Sequence, residues 1–235
     1  MKRFYKTAAV ARGERDSTFR IALDGRPIRT PAKAILELQS EAFARAIAAE
    51  WDGQSEKIDP RSMPMMAFTC TAIDLISKKR EQTVSDILTY AEHDLLCYRA
   101  DAPAELTERQ NREWQPLLDW AALALDAPLK VTSGVVSVRQ DEQALQALGR
   151  VVEDLDALEL SVLSSAVAAS GSLVIGLALR AGEIDAEAAY AAAQLDELYQ
   201  AERWGEDHDA RRRRAAIRND LDAAARAFAL LRETA

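Results

Sequence analysis

His93, Asp94 and Cys97 bring the most reactive side chains into the smallest span. In HDLLC a single helical turn puts His93 and Cys97 on one face, where an imidazole could take the proton of a thiol and leave a nucleophilic thiolate. Such a pair also needs an orienting third group and an oxyanion site, and packing alone produces the same spacing. A zinc site needs three or four ligands, and with two histidines and two cysteines in the chain the other candidates are scattered. ASGSL around Gly171 lacks the Gly-x-Ser-x-Gly spacing of a nucleophile elbow. Neither a P-loop nor a Gly-x-Gly-x-x-Gly turn is present. Carboxylates are plentiful, but an acid/base pair is defined by separation in space. No metal and no cofactor is therefore expected. The enzymatic reading that remains is a small cytoplasmic enzyme using His93, Asp94 and Cys97.

Two other stretches suit binding rather than catalysis. In DELYQAERWGED, Asp196 to Asp207, Glu197 and Trp204 stand seven apart and share a helix face, with Asp196 and Gln200 on an adjacent one. A large aromatic beside carboxylates at a helix end is typical of a protein-binding hot spot. It is equally what a core tryptophan followed by a left-handed Gly205 cap looks like. Arg211 to Arg214 is the strongest basic run. With Glu206, Asp207 and Asp209 one turn upstream it reads as a paired, solvated helix surface, since a nucleic-acid site wants aromatic or further basic neighbours on the same face.

The elements that must position these residues are mostly helices. Few Gly and Pro against abundant Ala, Leu, Glu and Arg favour helix, and 235 residues suffice for a core without disulfides. Phe19, Ile21 and Leu23 alternate with Arg20, Ala22 and Asp24 as in a half-buried strand, and Asp24-Gly25 supplies a hairpin turn. Short strands are expected around Ile28 and at Ile35 to Leu38. Ser40 caps a helix with Phe43, Ile47 and Trp51 at helical spacing. Further helices are expected from Pro64 through Ile76, Thr83 to Glu92, Leu106 to Leu125 (Trp114, Leu117, Leu118 and Ala121 on one side), Asp141 to Leu155, Asp185 to Trp204 and Asp207 to Leu231. Leu95 to Tyr98 reads as strand or helix. Pro128 to Val138, with Val131, Val135, Val136 and Val138 around Gly134, reads as a short extended piece or loop.

Residues 160–179 carry no charge and could span a bilayer by length. Ser170-Gly171-Ser172 interrupts them, so two buried helices are expected and no membrane insertion. The fold class is α+β: a small β-rich N-terminal unit with one helix, residues 1–60, packed on a larger, mainly α-helical domain, residues 61–235. A net charge of −8 argues against general attraction to nucleic acid or anionic membrane. Isolated Cys70 and Cys97 fit a reducing compartment. MKRFYKTAAVARGER lacks the apolar core of a signal peptide and is not a Ser- and Arg-rich transit segment, so the mature protein is expected to start at Met1.

Nine stretches in order, from Arg3 to near Leu230, resemble the assembly chaperone family that serves the α subunit of the F1 sector of ATP synthase. They are RFYK from Arg3, FRIALDGRPIRTPAK from Phe19, AAEW ending at Trp51, RSMP ending at Pro64 and TAID ending at Asp74. HDLLCYRA from His93, WQPLLDW from Trp114, SGSLVIGLAL from Ser170 and DELYQAERWG from Asp196 complete the set. The chain departs from the family pattern in carrying Met65-Met66 where a Leu-Thr pair is usual. The resemblance implies a chaperone rather than an enzyme. It would bind the free α subunit and keep it from aggregating until a β subunit takes its place. Mitochondrial relatives act in the matrix behind a presequence; a bacterial member would act in the cytoplasm. The resemblance points to the carboxylate-bearing segment near the C-terminus, and hence to Asp196, Glu197, Trp204, Gly205 and Asp207 as the partner-binding residues, with Glu197 meeting a basic group on the α subunit.

Overall fold

The alternating apolar run does fold as a strand. In the computed structural model, which describes every residue except Asp16, Val135, Thr234 and Ala235, β1 (Ala8–Arg12) and β2 (Phe19–Leu23) pair antiparallel, with Val10 opposite Ile21. Asp24 and Gly25, both at positive φ, turn β2 into β3 (Arg26–Pro27). The Asp24 carboxylate accepts the N–H groups of Lys6 and Thr7 and so ties the turn to the segment just before β1. The strand expected at Ile35 to Leu38 is reduced to two isolated bridges, Arg29 with Ile35 and Phe19 with Leu38. Asp74 accepts from Thr30 Oγ1 (2.6 Å) and Ala32 N (3.1 Å) and holds the turn between Arg29 and Ile35.

Ser40 caps α1 (Glu41–Asp52) by accepting from Phe43 N, and Phe43 and Ile47 are fully buried. Buried Glu50 near the end of α1 accepts the N–H groups of Met65 and Met66 at 2.7 and 2.9 Å. A carboxylate there satisfies two orphan donors and meets the positive end of α2 (Pro64–Thr71). The helix expected from Pro64 through Ile76 changes pitch at a π-helical turn, Ala72–Ile76, before α3 (Ser77–Glu92).

A 3-10 turn at Leu95–Cys97 leads into β4 (Tyr98–Arg99), then α4 (Ala104–Ala124) with Trp114, Leu117, Leu118 and Ala121 all buried. The extended piece near Gly134 is β5 (Thr132–Ser133), parallel to β4; Val135 lies outside the described residues. There follow α5 (Glu142–Glu153), α6 (Ala157–Ser170) and α7 (Leu173–Ala181). The uncharged stretch breaks where expected. Gly171 sits at φ +73° and Ser172 Oγ accepts from Ile175 N. Among the described residues no helix is long and apolar enough to cross a membrane.

The helix expected over Asp185 to Trp204 is two: α8 (Ala186–Ala193) and α9 (Leu195–Trp204). The indole Nε1 of Trp114 donates to the carbonyl of Ala192 at 2.9 Å, close to the junction of the two helices. The last helix is α10 (His208–Arg232). The chain forms two compact units. Met1–Arg80, Asp156–Val162 and Arg226–Ala235 make the one that holds β1 to β3; Glu81–Leu155 and Leu163–Ala225 make the helical one. Together they give an α+β protein with a small N-terminal sheet and a larger helical part.

A candidate partner-binding face on helix α9

The three reactive residues of HDLLC point to different places. His93 is exposed and its Nδ1 lies 3.2 Å from Tyr98 Oη. Asp94 is fully buried and accepts from Leu96 N and Val174 N, both at 3.1 Å, with Ser172 and Leu173 as further donors. It thereby caps the 3-10 turn and the start of α7 at once. Burial pushes its carboxyl up to about 6 against the donors that favour the charge. Cys97 is buried, and burial pushes its thiol up to about 12. A thiol that holds its proton so firmly is no nucleophile at neutral pH. No group of three or more His, Cys, Asp or Glu that could hold a metal occurs among the described residues.

On α9 the structure separates two neighbours. Asp196 is half-buried and accepts from Gln110 Nε2 at 2.8 Å. Glu197 is exposed, as are Gln200 and Trp204; with Ala201 they make a stripe at helical spacing. Trp204 is 76% exposed, which rules out the core-anchor reading of this residue. Gly205 ends the helix at φ +79°, ψ 179° instead of in a left-handed cap, a region open essentially to glycine alone. Asp207 then caps α10, accepting from Ala210 N at 2.7 Å.

Contacts with no local sequence signal hold this end of α9. Arg109 pairs with Glu202 at 2.8 Å and Arg203 pairs with Glu105, both links between α4 and α9. Arg203 also lies over the ring of buried Tyr199, 4.6 Å from its centroid. Each exposed pair alone is worth up to about 1 kcal/mol, but together they fix the orientation of the helix that presents Trp204. In the basic run, Arg214 and Arg211 reach Glu206 at 2.7 and 3.6 Å, the carboxylate pairing expected from the sequence. The arrangement offers a rigid aromatic and a carboxylate on one face, suited to gripping another protein.

A family profile described as ATP12 chaperone protein matches residues 2–122, just over half the chain. The mitochondrial protein atp12 of Schizosaccharomyces pombe is 26% identical over 223 residues, 89% of this chain and 75% of that protein. The crystal structure of Atp12 from Paracoccus denitrificans is similar throughout, with a TM-score of 0.92, 40% identity and 97% of each chain covered. A Paracoccus denitrificans Atp12p mutant with lysine in place of an aspartate matches at a TM-score of 0.91 and 39% identity, again over 97% of each chain. Unlike the family profile, these structural matches extend through α9. The chain belongs to the ATP12 chaperone family.

Proposed function

We propose that the protein assists assembly of the F1 sector of ATP synthase in the bacterial cytoplasm. It binds the free α subunit and keeps it from aggregating until a β subunit displaces it. The contact is the exposed stripe of α9, with Trp204 as the apolar anchor and Glu197 facing a basic group of the partner. The observation that carries the site is Trp204 itself. A tryptophan left 76% exposed on a helix end fixed by two ion pairs has no packing role. Family membership supports the chaperone role. A ring subunit made alone exposes apolar interface, and such surface associates non-specifically. A chaperone covering it must bind less favourably than the native neighbour so that exchange proceeds. Neither nucleotide hydrolysis nor a catalytic residue is needed for that.

Pull-down of separately made α and β subunits tests the proposal. The expected result is capture of α but not β, release of α on adding β, and capture at least about tenfold weaker with Glu197→Lys. A well-folded protein that captures neither subunit would overturn the reading.

A further inference from the structure

The N-terminal part of the chain has the opposite charge balance to the rest. Residues 1–80 contain fifteen Lys and Arg against ten Asp and Glu; residues 81–235 contain fifteen against twenty-eight. Half of those ten acids accept hydrogen bonds that hold turns and helix starts in place. Asp24 accepts from the backbone of Lys6 and Thr7, Glu37 from Glu14 N and Thr18 Oγ1, and Glu50 from Met65 N and Met66 N. Asp59 accepts from Arg61 N, and Asp74 from Thr30 Oγ1 and Ala32 N. Several cations remain outside. Arg26, Arg29, Lys33 and Lys78 are all exposed. The guanidinium of Arg29 donates to a neutral acceptor, the carbonyl of Lys33, at 2.9 Å.

Asp74 ties the turn between Arg29 and Lys33 to the helical segment that carries Lys78. Its two bonds fasten the Thr30–Ala32 turn to the π-helical turn, with Leu75 adjacent and Lys78 one turn on. The bridge between Arg29 and Ile35 brings Ile35 to the same turn. Ile35 and Leu75 are 45% and 48% exposed. Half-open Ile35 thus shares its turn with Arg29 and Lys33, and half-open Leu75 shares with Lys78 the segment that Asp74 fastens to that turn.

From this surface we infer a second docking site, for an acidic polypeptide segment that carries apolar side chains. The charge selects the acidic partner. The aliphatic centre favours a polypeptide over nucleic acid, which calls for aromatic stacking partners, and two half-exposed residues are too few for a membrane-binding stripe. The inference rests on the chaperone reading for the kind of partner, and it adds a contact of opposite charge to the one on α9.

The test uses the full chain and a labelled peptide of alternating Glu and Leu, followed by fluorescence anisotropy. Binding is expected to weaken about tenfold or more from about 50 to about 300 mM salt. The triple variant Arg29→Glu, Lys33→Glu, Lys78→Glu is expected to lose at least about tenfold more. Circular dichroism checks the fold. If charge reversal disturbs it, the triple change to Gln takes its place and must still weaken binding. Unchanged binding by the folded triple variant overturns the inference, as does preference for an oligonucleotide or a phosphatidylserine vesicle over the peptide. Loss of α-subunit capture by the wild type alongside a positive peptide result would remove the F1 reading and leave this one standing.

Discussion

Gln110 donates through Nε2 to Oδ1 of Asp196 at 2.8 Å, while its own Oε1 accepts from Ala100 N at 2.7 Å. Two acidic residues side by side at the start of α9 therefore do different work: Asp196 fastens the helix to α4, and Glu197 is left to solvent. Asp196→Ala should destabilise the protein by about 1–2 kcal/mol, since it leaves the buried amide of Gln110 short of a partner. Glu197→Gln should change stability by less than about 0.5 kcal/mol. Urea denaturation of both variants checks this; equal losses would mean that Glu197 also supports the fold.

Trp204 and Gly205 should separate in the opposite sense. Trp204→Ala removes an exposed side chain, so stability should hold while α-subunit capture falls about 30-fold or more. Gly205→Ala meets no steric obstacle, because a Cβ there has nothing within 4 Å. Its cost is the backbone conformation alone, about 1–3 kcal/mol. Melting temperatures and capture assays on the pair distinguish the two effects.

Asp94 should give stability a pH dependence of unusual sign for an aspartate. Burial raises its carboxyl from an ordinary 3.8 to about 6, so between these values the folded chain holds a proton that the unfolded chain has released. The group's contribution is fully present below the lower value and is lost as pH rises through the upper one. It amounts to about 2–3 kcal/mol between pH 4 and pH 7. Asp94→Asn cannot titrate, so the difference in unfolding free energy between wild type and variant should slope over that window and flatten above it. A flat difference would show that Asp94 is ionised throughout.

Burial pushes Cys97 up to about 12 and Cys70 up to about 11, the latter aided by the charge of Asp74. Both thiols of the native protein should react slowly with Ellman's reagent at neutral pH and promptly after denaturation. His93→Ala should leave α-subunit capture unchanged. Fast native reaction of Cys97, slowed by His93→Ala, would revive an enzymatic role for the HDLLC segment.

What the sequence disclosed was local. The alternation at Phe19 to Leu23, the Asp24-Gly25 turn, the Ser40 cap and the break at Ser170 to Ser172 each follow from a few adjacent residues, and each has the expected form. What it concealed depends on distant partners. The end of α8 is met by Trp114, 78 residues before Ala192. The turn before Ile35 is held by Asp74, which has no sequence mark as a turn-holding residue. The site was legible as a segment but not as roles. Spacing put Glu197 and Trp204 on one face; only packing could show Trp204 outside and Asp196 bound to Gln110.

The unit that contains the sheet includes Arg226–Ala235 as well as the first eighty residues, and Ala227 and Phe228 are buried. A ribosome adding about 5–20 residues per second reaches that segment roughly 7–30 s after residue 80. For that interval the earliest-made part of this chaperone lacks a piece of its own interior. A member of a chaperone family thus passes through an unfinished state of its own, which makes its nascent chain a candidate client for the cell's general chaperones.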